Sequence, residues 1–222
     1  MIIFDLLFPR KCHLCGEELA DGERFICGLC LYKLPRTLYH ALPLNPMEEK
    51  LAGGPPFVRG TGHFFYSHGS GAARLVYDFK YNGYPSLARE MGRIIGNELL
   101  PTGFFAGVEV LQPVVMHPLR KARRGYNQAE MIACGVSGAT GIPVGDNLRT
   151  TRLHSTQTRK GKDEREANMR GYFRAFHPEE LIDKGVMLVD DVCTTGATFR
   201  NAAAALADIP GISIYYLAMA CV

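Results

Sequence analysis

The run Val186-Met187-Leu188-Val189-Asp190-Asp191-Val192-Cys193-Thr194-Thr195-Gly196-Ala197-Thr198 constrains the fold more than any other part of the chain. Four apolar residues read as a buried parallel strand, with two adjacent carboxylates following at its C-terminal end. A short hydroxyl-rich turn with one glycine comes next, and then Phe199, Ala202, Ala203 and Leu206 at helical spacing. A strand entering a helix through such a turn gathers free backbone N–H groups and the positive helix end at one point, which suits a phosphate. Thr194, Thr195 and Thr198 add hydroxyl donors, and Asp190 and Asp191 stand where the vicinal hydroxyls of a sugar would lie. A bare carboxylate pair after a strand also fits a Mg2+ site of a doubly wound fold. With Thr-Thr-Gly-Ala-Thr in register, a phosphorylated ribose becomes the favoured ligand. The run has no Lys in the G-x-x-x-x-G-K-[ST] position, which disfavours a Walker-type nucleotide loop.

The 222 residues leave room for one domain and a small appendage, and 47% hydrophobic with 21% charged residues is ordinary for a globular protein. A net charge of +3 is mild, so any nucleic-acid binding has to come from local clustering. The apolar start at residues 1–9 is too short and interrupted for a membrane span, and it lacks a basic segment and a small-residue cleavage site. A cytoplasmic protein without membrane insertion is expected.

Four of the seven cysteines form two C-x-x-C pairs, Cys12-His13-Leu14-Cys15 and Cys27-Gly28-Leu29-Cys30. Each pair lets two sulfurs of one knuckle reach a single ion, and two knuckles close a tetrahedron. Cys12, Cys15, Cys27 and Cys30 are therefore expected to hold a structural Zn2+ with no open position for catalysis. A redox pair or unpaired buried thiols are the alternative, and His13 is expected to face solvent. Residues 1–36 form this module. Residues 37–59, rich in Pro and Gly, are expected to be a linker or loosely packed extension, and residues 60–222 the main domain.

In the main domain, strands are expected at 61–67, 111–116, 147–153 and 212–219 besides the opening run. Ala72, Leu75, Val76 and Phe79 share a helical face, as do Leu87, Met91, Ile94, Ile95 and Leu99 after Pro85. Tyr126, Ala129, Ile132, Ala133 and Val136 make a further helix ending near Gly138. This alternation predicts an α/β domain with a mainly parallel sheet flanked by helices. Ligands of such sheets bind beyond the carboxyl ends of the strands, which brings together three loops at 117–125, 154–168 and 190–198. The first two are basic, and Arg120-Lys121-Ala122-Arg123-Arg124 reads equally as part of an anion site, as a solvated face or as a nucleic-acid patch. Cys193 is expected to be a small buried residue rather than a nucleophile, and Cys134 and Cys221 to lie in the core.

The opening run resembles the phosphoribosyl-pyrophosphate (PRPP) signature of type I phosphoribosyltransferases. The resemblance then widens along the chain: the cysteine pairs, Phe79-Lys80-Tyr81-Asn82-Gly83, Arg124-Gly125-Tyr126-Asn127-Gln128, Gln157, Arg165 with Asn168, and Val-Asp-Asp-Val stand in the order typical of the ComF competence-protein family. That family is similar to type I phosphoribosyltransferases and carries an N-terminal zinc module. One departure is Val115-Met116-His117-Pro118-Leu119, where the family usually reads Pro-Val-Pro-Leu-His. The resemblance implies that Asp190 and Asp191 take the ribose hydroxyls, while Thr194, Thr195, Gly196, Ala197 and Thr198 wrap the 5′-phosphate. A leaving pyrophosphate beside Mg2+ needs positive charge, expected from Arg120, Arg123 or Arg124 and, if the 154–168 loop closes, from Arg159, Lys160 or Arg165. Lys80 reads equally as reaching the same cleft around PRPP or as a solvated helix-end lysine. The resemblance further implies a transferase of unknown acceptor acting in DNA uptake during natural transformation. The alternative is a non-catalytic factor that binds single-stranded nucleic acid and works with competence and DNA-processing proteins. Tyr126 beside Arg124, and Tyr172-Phe173 near Arg170 and Arg174, are the candidate stacking aromatics for that alternative.

Overall fold

The computed structural model describes residues 9–151 and 171–222. The expected loop 154–168, with Gln157, Arg159, Lys160, Arg165 and Asn168, lies outside the described residues, as do Arg170 and residues 1–8. In chain order the helices are α1 (Gly28–Lys33), α2 (Pro46–Leu51), α3 (Gly71–Tyr81), α4 (Pro85–Leu99), α5 (Pro118–Arg124), α6 (Gln128–Thr140) and α7 (Ala197–Ala204). The strands are β1 (Arg59–Phe65), β2 (Val110–Pro113), β3 (Leu148–Thr150), β4 (Phe173–Ala175), β5 (Gly185–Cys193) and β6 (Ser213–Cys221).

Four strands pair in the order β1-β6-β5-β2, every pair parallel. Such a sheet has to be covered on both faces, and the residues of β5 and β6 are apolar in consecutive positions rather than in alternation. Met187, Val189, Leu217 and Met219 pack under α3, α4 and α6 through Phe79, Met91, Ile95, Ile132 and Val136. On the other face, Val186, Leu188, Ile214 and Tyr216 pack under α2 and α7 through Met47, Leu51, Phe199 and Ala203. This is the expected α/β fold with a parallel sheet flanked by helices.

Glycines set how closely the helices of the first face approach. A Cβ added at Gly92 would stand 2.0 Å from the Ile132 carbonyl oxygen, and one at Gly135 only 1.9 Å from that of Arg89. Backbone against backbone leaves no flexible group to yield, so α4 and α6 pack at this distance only with glycine at these positions.

Several elements differ from the sequence reading. The strand expected over 147–153 is the shorter β3, and it pairs antiparallel with β4 in a separate two-stranded sheet. The basic segment expected as a loop is α5. His117 caps it through its ring, Pro118 opens it, and Gly125 closes it at φ 88°. Pro at the first helical position, strong helix formers and a terminal Gly were a legible start-and-stop signal. Helix α6 runs on to Thr140 and stops at Gly141, not near Gly138. Within 37–59, Asn45 and Glu48 form a reciprocal capping box on α2, and Met47, Glu48 and Leu51 are buried.

Candidate functional site

The two aspartates lie inside β5 rather than after it. The ladder to β6 continues through Asp190↔Ala218, Val192↔Ala220 and Cys193↔Cys221, which carries both carboxylates to the carboxyl end of the sheet. Pleating sends adjacent side chains to opposite faces. Asp191, on the side of Met187 and Val189, is buried, and its Oδ1 accepts a hydrogen bond from Lys80 Nζ at 2.8 Å. Its Oδ2 is buried and has no hydrogen-bond partner among the described residues. Asp190 is half-buried, and its Oδ1 accepts the Asp191 N–H at 2.8 Å. Burial, then the adjacent Asp191 charge, push the Asp190 carboxyl well above the ordinary aspartate range.

Lys80 reaches Asp191 from the last turn of α3, and Tyr126 holds that turn by donating its hydroxyl to the Phe79 carbonyl. Arg124 is brought to the same corner. Its Nη1 donates to Gln128 Oε1 at 2.5 Å, and its guanidinium lies 5.7 Å from the ring centre of Tyr81. The exposed aromatic beside Arg124 is thus Tyr81, while Tyr126 is partly covered and hydrogen-bonded. Arg120 stays exposed on α5, close enough for its charge to oppose the upward push that burial gives the Tyr172 hydroxyl. Lys121 is taken up by Glu130 at 3.2 Å. His117 is buried, its Nδ1 accepting the Leu119 N–H while Nε2 has no partner among the described residues.

After β5, Thr194 and Thr195 are exposed and Gly196 precedes α7 at φ 77°. A Cβ at Gly196 would stand 2.6 Å from the Lys50 carbonyl oxygen, so both conformation and space require glycine. Gly196 offers no side-chain cap, and the Ala197 N–H reaches Thr195 Oγ1 at 3.4 Å. Arg200 braces the turn, donating through Nη1 to the Lys50 carbonyl and, at 2.9 Å, to the Thr195 carbonyl. The segment 37–59 therefore supports the hydroxyl-rich turn through α2, a role its Pro-rich composition did not suggest.

Cys193 and Cys221 are buried neighbours in register, and burial pushes both thiols up, to about 12 and about 11. That fits a packing role. Cys134 departs from the expected core position: it is half-buried beside Gly135 at the edge of a groove, because α6 turns this side away from the sheet.

The four N-terminal cysteines converge, with their Sγ atoms all within 4.8 Å of one another. A tetrahedral ion with Zn–S of about 2.3 Å separates its sulfurs by about 3.8 Å, and Cys15 Sγ lies 3.8 Å from Cys27 Sγ. Cys12 Sγ accepts N–H groups from Cys27 at 3.3 Å and Leu14 at 3.4 Å. Burial works against the Cys12 thiolate, yet these backbone donors bring its thiol below the ordinary value. Donor type, number and spacing fit a metal. His13 is turned away from the cluster: its Nδ1 donates to Asp78 Oδ2 at 2.8 Å, and its ring meets Tyr84 edge-on at 4.6 Å.

No family model matches the chain. It is similar to solved structures of an allosteric regulatory enzyme of purine biosynthesis and of a glutamine PRPP amidotransferase from B. subtilis complexed with ADP and GMP. Both likenesses are at 19% identity and a TM-score of 0.41, covering 63% of this chain. The chain spans only 29% and 30% of those structures, so the fold assignment rests on the strand order and register above. A curated relative, Competence protein F of Haemophilus influenzae (strain ATCC 51907 / DSM 11121 / KW20 / Rd), is 33% identical over 200 residues. The match covers 87% of this chain and 76% of that protein, and on this extent the chain belongs to the competence protein F family.

Proposed function

We propose that the protein binds PRPP at the carboxyl end of β5, as a phosphoribosyltransferase-like protein of DNA uptake. One observation carries this reading: Asp190 and Asp191 sit at a sheet end, and three residues after Asp191 begins a glycine-hinged turn with exposed Thr194 and Thr195 ahead of the first helical N–H groups, a combination that suits an anion. In this reading Asp190 and Asp191 accept from the ribose hydroxyls, and Thr194, Thr195, Gly196, Ala197 and Thr198 hold the 5′-phosphate. Asp191 Oδ2, buried and without a partner among the described residues, has acceptor capacity left for a hydroxyl. Lys80 orients Asp191 through its hydrogen bond to Oδ1, while Arg124 and Arg120 supply positive charge towards the pyrophosphate. Mg2+, a hard cation suited to carboxylate, hydroxyl and phosphate oxygens, would neutralise the pyrophosphate when bound. Transfer would break the C1–O bond to pyrophosphate, which leaves with the bonding pair, and form a bond from C1 to the acceptor through an oxocarbenium-like state, with no protein nucleophile. Arg165, outside the described residues, is assigned to the leaving group by the same reading. The four cysteines are assigned a structural Zn2+, and the protein a cytoplasmic location.

Isothermal titration of PRPP with and without Mg2+ tests the site. Wild type is expected to bind, and Asp190→Asn/Asp191→Asn to lose most of the affinity. Absence of binding by wild type sinks the reading.

A second reading, as a single-stranded nucleic-acid binder, is favoured by a separate groove between the cysteine module and α4–α6, with a volume of about 1120 Å3. Arg10, Lys11, Arg24, Arg89 and Arg93 line it against one carboxylate, Glu90, and Phe25 and Tyr84 lie among them. That local excess exceeds the +3 of the whole chain. Cations interleaved with aromatics suit a phosphate backbone with unstacked bases. Fluorescence anisotropy of an oligo-dT strand should show steeply salt-dependent binding that Arg24→Glu/Arg89→Glu weakens and Asp190→Asn leaves alone. Equal binding by the charge-reversed variant would remove the groove from consideration.

A further inference from the structure

Helix α3 is contacted at both ends by the cysteine module. At its start, Gly71 lies against Leu14 and Leu34, where an added Cβ would come within 2.8 Å of Leu34 and 3.5 Å of Leu14. In its last turn, Asp78 takes the His13 Nδ1–H at 2.8 Å through Oδ2, and Oδ1 accepts from Asn82 Nδ2 at 2.9 Å. A carboxylate in the last turn of a helix opposes the helix dipole, so Asp78 stands where an isolated helix would disfavour it. Two residues on, the same turn sends Lys80 into the sheet to meet the buried Asp191.

We propose that His13 is a positioning residue for the ligand site: by clamping Asp78 it fixes the end of α3 and so seats the Lys80 ammonium on Asp191. The cysteine knuckle and the carboxylate pair then share one lever, and order gained at one is felt at the other. This rests on the PRPP reading only for its effect on affinity. The seating of Lys80 is measurable without ligand.

The test uses the full chain as wild type, His13→Ala, His13→Asn, Lys80→Met and the double variant His13→Ala/Lys80→Met, with metal content measured for each. Asn at position 13 places an amide N–H close to where Nδ1 stands, so it is the rescue. First, acylation of Lys80 by an amine-reactive ester is followed by mass spectrometry. His13→Ala is expected to speed it about threefold relative to wild type, with His13→Asn near wild type and metal content unchanged. Second, PRPP titration is expected to show affinity weakened about fivefold by His13→Ala, restored by His13→Asn, and not weakened further by His13→Ala in the Lys80→Met background. Unchanged Lys80 acylation in His13→Ala overturns the proposal, as does equal weakening in both backgrounds, which would mark general destabilisation. If wild type binds no PRPP, the ligand assignment falls while the acylation result still decides the role of His13.

Discussion

Cys12, Cys15, Cys27 and Cys30 gather at one point from within a single short module, whereas Lys80 and Asp191 meet across 111 residues of sequence. The first site is brought together by local turns, with four sulfurs at the spacing one ion requires. The second exists only because β5 is drawn into the middle of a parallel sheet and α3 is laid across it. A local site gains its order from a ligand, while a distributed site gains it from the core. Loss of metal should therefore disorder the cysteine module and, through His13, loosen only the end of α3, while loss of packing should disorder the sheet itself.

The largest effect is expected from removing the metal. Structural Zn2+ in small modules contributes on the order of 10 kcal/mol of apparent binding energy. Cys27→Ser should abolish metal retention and open residues 9–36 to proteolysis while the sheet amides stay protected from hydrogen exchange. Joint collapse of both regions would break the comparison.

Next comes Lys80→Met, which leaves the buried Asp191 carboxylate without its partner and should cost about 3 kcal/mol in urea unfolding. Adding Asp191→Asn should recover most of that loss, because the uncompensated charge disappears with it. Gly135→Ala should cost about 2 kcal/mol by forcing α4 and α6 apart, with metal content unaffected.

The pH dependence separates the two carboxyl environments further. Asp190 is raised in the folded state by burial and by Asp191, so its contribution to stability is present below the ordinary aspartate pKa and is lost as pH rises through the folded value. Asp190→Asn should therefore raise Tm at pH 8, by about 1 kcal/mol of stability, and change little at pH 4. Glu98 behaves in the opposite sense. Burial would raise it, but hydrogen bonds from His63 and Arg36 bring it down to about 2. Its stabilisation is present above pH about 4.5 and lost as pH falls towards 2. Glu98→Gln should flatten the acid limb of the Tm profile and cost about 1 kcal/mol at neutral pH, since a third of its side chain is exposed. Because Arg36 ends the cysteine module and His63 lies on β1, this loss should loosen the module against the sheet without freeing its metal.

Much of this was legible in the chain. Val186 to Val189 announced a strand buried on both faces, because four consecutive apolar residues suit a parallel sheet. The C-x-x-C pairs announced a cluster, because ligand spacing is a local property. The helical face of Leu75, Val76 and Phe79 was readable from its period. The helix at Pro118 was written in its punctuation, though its five consecutive basic and small residues lack the apolar stripe that periodicity detects. The partner of Lys80 was not legible, nor was that of His13, since neither neighbour is near in sequence. The buttressing of Gly196 by Lys50 and Arg200 was hidden as well, behind composition that suggested a linker.

The sequence by itself determined the parallel sheet, the four-sulfur cluster and the hydroxyl-rich, glycine-containing turn, because each depends on spacing along a few residues. Only the tertiary structure decided which cation meets Asp191, which face each aspartate takes, and that the first cysteine knuckle grips the helix carrying Lys80. Those are choices among distant partners, and they are made by packing against a shared core rather than by any residue's own preference.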